Sequence, residues 1–96
     1  MVAFRAKKIR WARSATKHRV ARARSRFVVE HCGLVFRVPP PKGQVDERLL
    51  FLGDDRDGIA LEVMGVELAE GLLVIHAMGL RPRYRSQYEE AKRWRI

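Results

Sequence analysis

Residues 72–90, LLVIHAMGLRPRYRSQYEE, decide the fold. Leu72–Met78 is apolar at nearly every position, as a strand buried on both faces of a sheet must be. His76 is the one imidazole in that run. Gly79 follows it, and Pro82, with a fixed φ and no N–H to satisfy, suits the first turn of a helix. Tyr84, Tyr88 and Ala91 then recur at helical spacing with Trp94 close to the same stripe. A final helix therefore packs that side on a sheet and leaves Arg83, Lys92 and Arg93 in water. Between strand and helix lies a junction dense in arginine.

The segments before this one supply the rest of the sheet. Ala69-Glu70-Gly71 reads as a turn. Ile59, Leu61 and Val63 share one face at period two, after which Val66 and Leu68 continue on the other parity. A β-bulge at or near Gly65 would restore a continuous apolar face, with Glu62 and Glu67 flanking it. Asp54-Asp55-Arg56-Asp57-Gly58 has the Asp-Gly pair of a hairpin turn and lacks the distal Glu of a calcium loop, so no metal site is expected there. Arg48–Gly53 and Leu34–Val38 read as strands, the latter closed by the loop Pro39-Pro40-Pro41-Lys42-Gly43.

Residues 14–32 contain no Pro or Gly and are mostly Ala, Arg, Lys and Val, which favours helix. The expected apolar stripe is Ala23, Phe27 and either Glu30 or His31, flanked by Val20 and Val28. Ala15 and His18 extend that helix, or form a separate short one if the chain breaks near Val20. Gly33 sits where a helix C′ glycine is expected. Near the N-terminus, which also carries Phe4, Lys8–Trp11 puts Ile9 and Trp11 on one side of a short strand. The sum is a single α+β domain over residues 1–96, with an N-terminal helical segment, a three- to four-stranded antiparallel sheet and a C-terminal helix.

The net charge is +9 and unevenly placed. Residues 1–48 hold 13 Lys or Arg against 3 acids, residues 49–96 hold 7 against 8, and no acid precedes Glu30. Such a distribution suits a surface that meets phosphates or an acidic partner. Lys17, Arg22 and Arg26 are the natural phosphate contacts, because a flexible Lys or a forked Arg supplies charge without exact placement. Cys32 is the only cysteine, which excludes an intramolecular disulfide and a cysteine-based metal cluster. No cofactor is implied. No apolar run approaches the roughly 18 residues of a membrane span, and the N-terminus lacks the order of a signal peptide, so a cytoplasmic location is expected.

Short motifs, in order, resemble one family. Lys17-His18-Arg19-Val20 is similar to the Lys-His-Gly-Val that opens the first helix of BrnT-type toxins. Leu50 to Gly53, with Gly58 and Leu61 after it, matches a Leu-x-x-Gly hairpin. Val74-Ile75-His76-Ala77 resembles the Ile-Ile-x-Ala of its last strand, and Tyr88-Glu89-Glu90 follows at similar spacing. Together they span roughly residues 15 to 90. The resemblance implies a small ribonuclease toxin of RelE-like fold, neutralised by a cognate antitoxin protein. Two positions depart from the pattern: Arg19 replaces its Gly, and Met78 stands where it has an arginine, so that a transition-state cation would have to come from Arg81, Arg83 or Arg85.

Cleaving RNA at a 2′-hydroxyl needs a proton acceptor, cations around the phosphorus and a donor for the leaving oxygen. The candidate catalytic residues are His76, His18, Arg81, Arg85 and Tyr88, with Lys17, Arg22, Arg26 and Arg83 as RNA contacts. Each has a structural alternative. His76 can be a hydrogen-bonded sheet residue, Tyr88 a core residue in register with Tyr84, and the arginines solvated surface. At the level of the whole chain, the alternatives are a non-catalytic nucleic-acid-binding module and a structural partner of a small acidic protein.

Overall fold

The computed structural model describes residues 8–94; Phe4, Arg5 and Lys7 lie outside them. Strand β1 is Lys8–Trp11, followed by a 3₁₀ turn at Arg13–Thr16 and helix α1, Arg22–His31. Strands β2 (Val35–Val38), β3 (Arg48–Asp54), β4 (Ala60–Leu68) and β5 (Gly71–Gly79) come next. A 3₁₀ turn at Pro82–Tyr84 leads into helix α2, Arg85–Lys92. The strands form one five-stranded sheet in the order β1-β5-β4-β3-β2. Strands β2 to β5 pair antiparallel in succession, and β1 runs parallel to β5.

The sheet is thus mixed and five-stranded, where three to four antiparallel strands were expected. The meander of short turns and the short strand Lys8–Trp11 are as read; the addition is that β1 joins the sheet as a parallel edge strand, beside a neighbour some sixty residues away in sequence. Gly71 permits that pairing, since a Cβ there would stand 1.9 Å from the Lys8 carbonyl oxygen. Local periodicity carries no signal for such a contact.

The sheet is covered on both faces. In β3, Leu49 and Phe51 point to one core with Val28, Val29, Leu61, Val63, Leu72 and Val74. Leu50 and Leu52 point to the other, with Tyr84, Tyr88 and Ala91. The first core lies under α1 and the second under the C-terminal segment. Tyr84, Tyr88 and Ala91 are buried as their spacing predicts, while Trp94 is about half exposed (49%) and its indole N–H donates to Glu90.

The N-terminal segment takes the second of its two expected forms, with a break near Val20: the chain leaves the 3₁₀ turn, passes through Arg19 at φ 62°, and starts α1 at Arg22. Two details of the helical segments differ from expectation. Helix α1 buries Ser25, Val28 and Val29, not Ala23 and Glu30, which are exposed; Phe27 lies at the margin, stacked on His31 with centroids 4.1 Å apart. The rotation follows from Trp11, whose indole N–H donates to the Ser25 hydroxyl (2.9 Å) and draws that residue inward. Gly33 does follow the helix, yet its role is close approach and not a left-handed φ. A Cβ there would lie 1.4 Å from the Trp94 carbonyl oxygen, so glycine lets the end of α2 reach the end of α1.

The bulge occurs between Met64 and Gly65, and its extra residue is on β5. Met64 pairs with His76 and Gly65 with Val74, leaving Ile75 unmatched. Strand β4 therefore alternates without a slip, and Val66 and Leu68 stay on the α2 side rather than rejoining the face of Leu61 and Val63. The switch falls on β5, where Val74 and Ala77, three residues apart, both enter the α1-side core. Bulges re-aim side chains. This one turns His76 away from the side of Val74, toward the sheet face that Glu62 occupies. Among the described residues no helix is long and apolar enough to cross a membrane.

Candidate functional site

Glu62 lies in the interior of β4, fully buried (0% exposed). An unpaired carboxylate there would be costly, so its partners define the site. Arg81 gives it three hydrogen bonds: the backbone N–H to Oε1 (2.9 Å), and Nε (2.9 Å) and Nη2 (2.6 Å) to Oε2. His76 Nε2 donates to Oε2 at 2.9 Å. Burial alone would raise the Glu62 carboxyl, but the Arg81 guanidinium and N–H and the His76 bond outweigh it and hold it below the usual carboxylate range.

Ionised, Glu62 can only accept, so His76 carries hydrogen on Nε2 and Nδ1 is its remaining nitrogen. The His18 ring meets the His76 ring edge to face, with centroids 5.7 Å apart. His18 comes from the chain between the 3₁₀ turn and α1. That segment is tied to the bulge: the Ala12 N–H donates to the Val74 carbonyl (2.8 Å) and the Ser14 hydroxyl to that of Ile75 (2.7 Å). The left-handed backbone of Arg19 follows His18 directly. Bulge, tether and turn together hold the two imidazoles side by side.

Arg81 has five N–H donors on its guanidinium, and Glu62 takes two of them. The group is about one-third exposed (37%), so it faces solvent while anchored. Tyr84 lies beneath it at 5.5 Å, with Arg83 over the same ring at 5.1 Å. His76 and Arg81 are thus gathered around one carboxylate, His18 stands against His76, and Arg83 stands next to Arg81.

Arg85 and Tyr88 belong to a different group. The Tyr88 hydroxyl donates to Asp54 at the end of β3, and Arg85 and Lys92 lie over its ring at 5.4 and 5.6 Å. Arg85 also pairs with Glu89 one turn on. These contacts fasten α2 to the sheet. Lys17 is exposed beside His18, while Arg22 and Arg26 lie over Trp11 on the opposite, α1 side of the sheet.

Two buried residues outside the cluster complete the inventory. Asp55 accepts the Ile59 and Asp57 N–H groups (2.9 Å each) and the Arg24 Nε (2.8 Å); the Ile59 bond chief among these holds its carboxyl below the usual range. Burial pushes the Cys32 thiol up to about 12, so it stays protonated and is no nucleophile.

Glu62 is the residue the sequence reading missed as a centre. Its signal was present: an acid flanked by Leu61 and Val63 within an apolar strand asks for buried partners. Family models, characterised protein sequences and solved structures all return no match to the chain.

Proposed function

We propose that this protein is an endoribonuclease of the type II toxin class, similar to BrnT-type toxins of RelE-like fold and paired with a cognate antitoxin. The observation that carries the reading is the juxtaposition of His18 and His76 with Arg81 on the buried Glu62. One neutral imidazole takes the proton of a ribose 2′-hydroxyl, whose oxygen bonds to phosphorus. The bond from phosphorus to the 5′-oxygen breaks, and the second imidazole, protonated, supplies hydrogen to that leaving oxygen. A 2′,3′-cyclic phosphate and a 5′-hydroxyl result. The free N–H groups of Arg81, with Arg83 and Lys17 nearby, stabilise the charge on phosphorus.

Both departures from the family pattern acquire a physical account. Residue 78 is the cross-strand partner of Glu62, and Arg81, three residues later, brings its guanidinium to that same carboxylate. It stands in for the arginine that Met78 replaces. Arg19 occupies the pattern's glycine position with φ 62°, a conformation that glycine enters freely. A backbone suited to glycine at that position supports the resemblance. The proposed mechanism assigns no step to Arg85 and Tyr88, whose contacts with Glu89 and Asp54 fasten α2.

Expression of the wild-type chain without a partner arrests growth and depletes intact mRNA, and His76→Ala together with His18→Ala relieves both. Undisturbed growth with the wild-type protein at the same expressed level would overturn the proposal.

A further inference from the structure

We infer that the cleft between Trp11 and α1 is a stacking site for single-stranded RNA, a subsite that rests on the ribonuclease reading and extends it to the other face of the sheet. The cleft has a volume of about 400 Å³ and is lined chiefly by Trp11, Arg22, Arg26, Phe27, Glu30 and Arg56. Arg22 and Arg26, one turn apart on α1, place their guanidinium carbons 5.4 and 5.1 Å from the Trp11 ring centre. Arg56 lies 4.8 Å over the ring of Phe27. Two aromatic rings and three arginines thus line one hollow, with Glu30, which pairs with Arg26 at 3.8 Å, as the only carboxylate among the described residues that line it.

The walls are fixed by buried contacts. The Trp11 indole N–H is held by Ser25, and Asp55 ties the turn that carries Arg56 to Arg24 on α1. Asp55 is 5% exposed and receives two backbone N–H groups of its own turn, so the loop enters the cleft wall as a rigid unit. Such a surface fits an unpaired base between cations: Trp11 offers a π-face that Arg22 and Arg26 now cover, Phe27, stacked on His31 and lying under Arg56, walls the cleft, and the arginines meet the flanking phosphates. A duplex keeps its bases stacked on one another and cannot use the rings, so the site selects single strands. Residues 12–21 run from Trp11 past Lys17 to His18 and then into α1, which connects this cleft to the imidazole pair on the other face.

The test uses the full chain carrying Trp94→Phe, so that emission reports Trp11 alone, and an eight-nucleotide 2′-O-methyl oligouridylate that cannot be cleaved. Binding followed by anisotropy is accompanied by quenching of Trp11. Arg56→Gln weakens it about 3- to 10-fold and lowers the salt slope by about one. Phe27→Leu, which keeps an apolar wall but removes the ring under Arg56, weakens it about 3-fold. A blunt duplex of the same length leaves the emission unchanged. Binding without quenching, equal quenching by the duplex, or unchanged affinity in both variants overturns the inference, as does absence of binding. Quenching without cleavage of the corresponding all-ribose oligomer leaves the stacking site standing and removes the nuclease, whereas cleavage without quenching does the reverse.

Discussion

At the scale of single residues, Glu62 holds the greatest share of the argument. Its carboxylate fixes the His76 tautomer and anchors Arg81, and each partner removed leaves buried charge uncompensated. Glu62→Gln keeps the volume but offers an amide that cannot accept from all four donors. We expect it to lower stability by about 2 kcal/mol, toward the low end for buried pairs because Arg81 and His76 can rehydrate; the shift in urea midpoint measures this. His76 and Arg81 were legible as candidates from residue type and position alone. Their shared partner was not, because Glu62 meets Arg81 only when β4 and the chain beyond β5 are folded together. Arg85 and Tyr88 looked equally suitable in sequence, and the Tyr88–Asp54 bond gives that helix a fastening to β3.

At the scale of elements, the connection from the 3₁₀ turn to α1 is where local preference and structure conflict. Arg19 at φ 62° carries a backbone cost of about 1 kcal/mol or more, which glycine would not. Arg19→Gly should therefore stabilise the fold by about 0.5 kcal/mol, the gain being reduced by the greater freedom of an unfolded glycine. A melting temperature higher by about 2–4 °C in a scanning experiment is the expected readout. The strands and closing helix were readable because their patterns are local: alternation in β2 and β4, an apolar run in β5, and helical spacing of Tyr84, Tyr88 and Ala91. The parallel pairing of β1, the buried face of α1 and the strand that carries the bulge's extra residue were not. Each is set by a distant contact, of Lys8 with Gly71, Trp11 with Ser25, and β5 with Ser14.

At the scale of the whole molecule, a strongly cationic chain depends on two buried carboxylates. Asp55 locks the β3–β4 turn to α1, and Glu62 locks β4 to the Arg81 segment. Both carboxyls titrate below their usual range when folded. Their contribution is therefore complete above the unfolded carboxylate pKa of about 4 and is lost as pH falls from there through the folded values. Urea midpoints should hold from pH 7 to about 5 and drop steeply below about 4, and the drop should be shallower in the Asp55→Asn, Glu62→Gln double variant. Positive self-repulsion in acid acts in the same direction, and the variant separates the two effects, since it removes the pairs while in acid, where both carboxyls are protonated, the excess of cations is the same.

The central claim is that two imidazoles gathered beside Glu62 and Arg81 cut RNA at a 2′-hydroxyl. Purified protein, stripped of any co-purifying chain, is incubated with an end-labelled RNA and with the same strand carrying 2′-deoxy residues throughout. The account predicts fragments ending in 2′,3′-cyclic phosphate from the first and none from the second, with His76→Ala slower by about 10²- to 10⁴-fold in a chain that still binds RNA. Intact RNA after long incubation with folded, RNA-bound wild-type protein, or undiminished cleavage by His76→Ala, would contradict it.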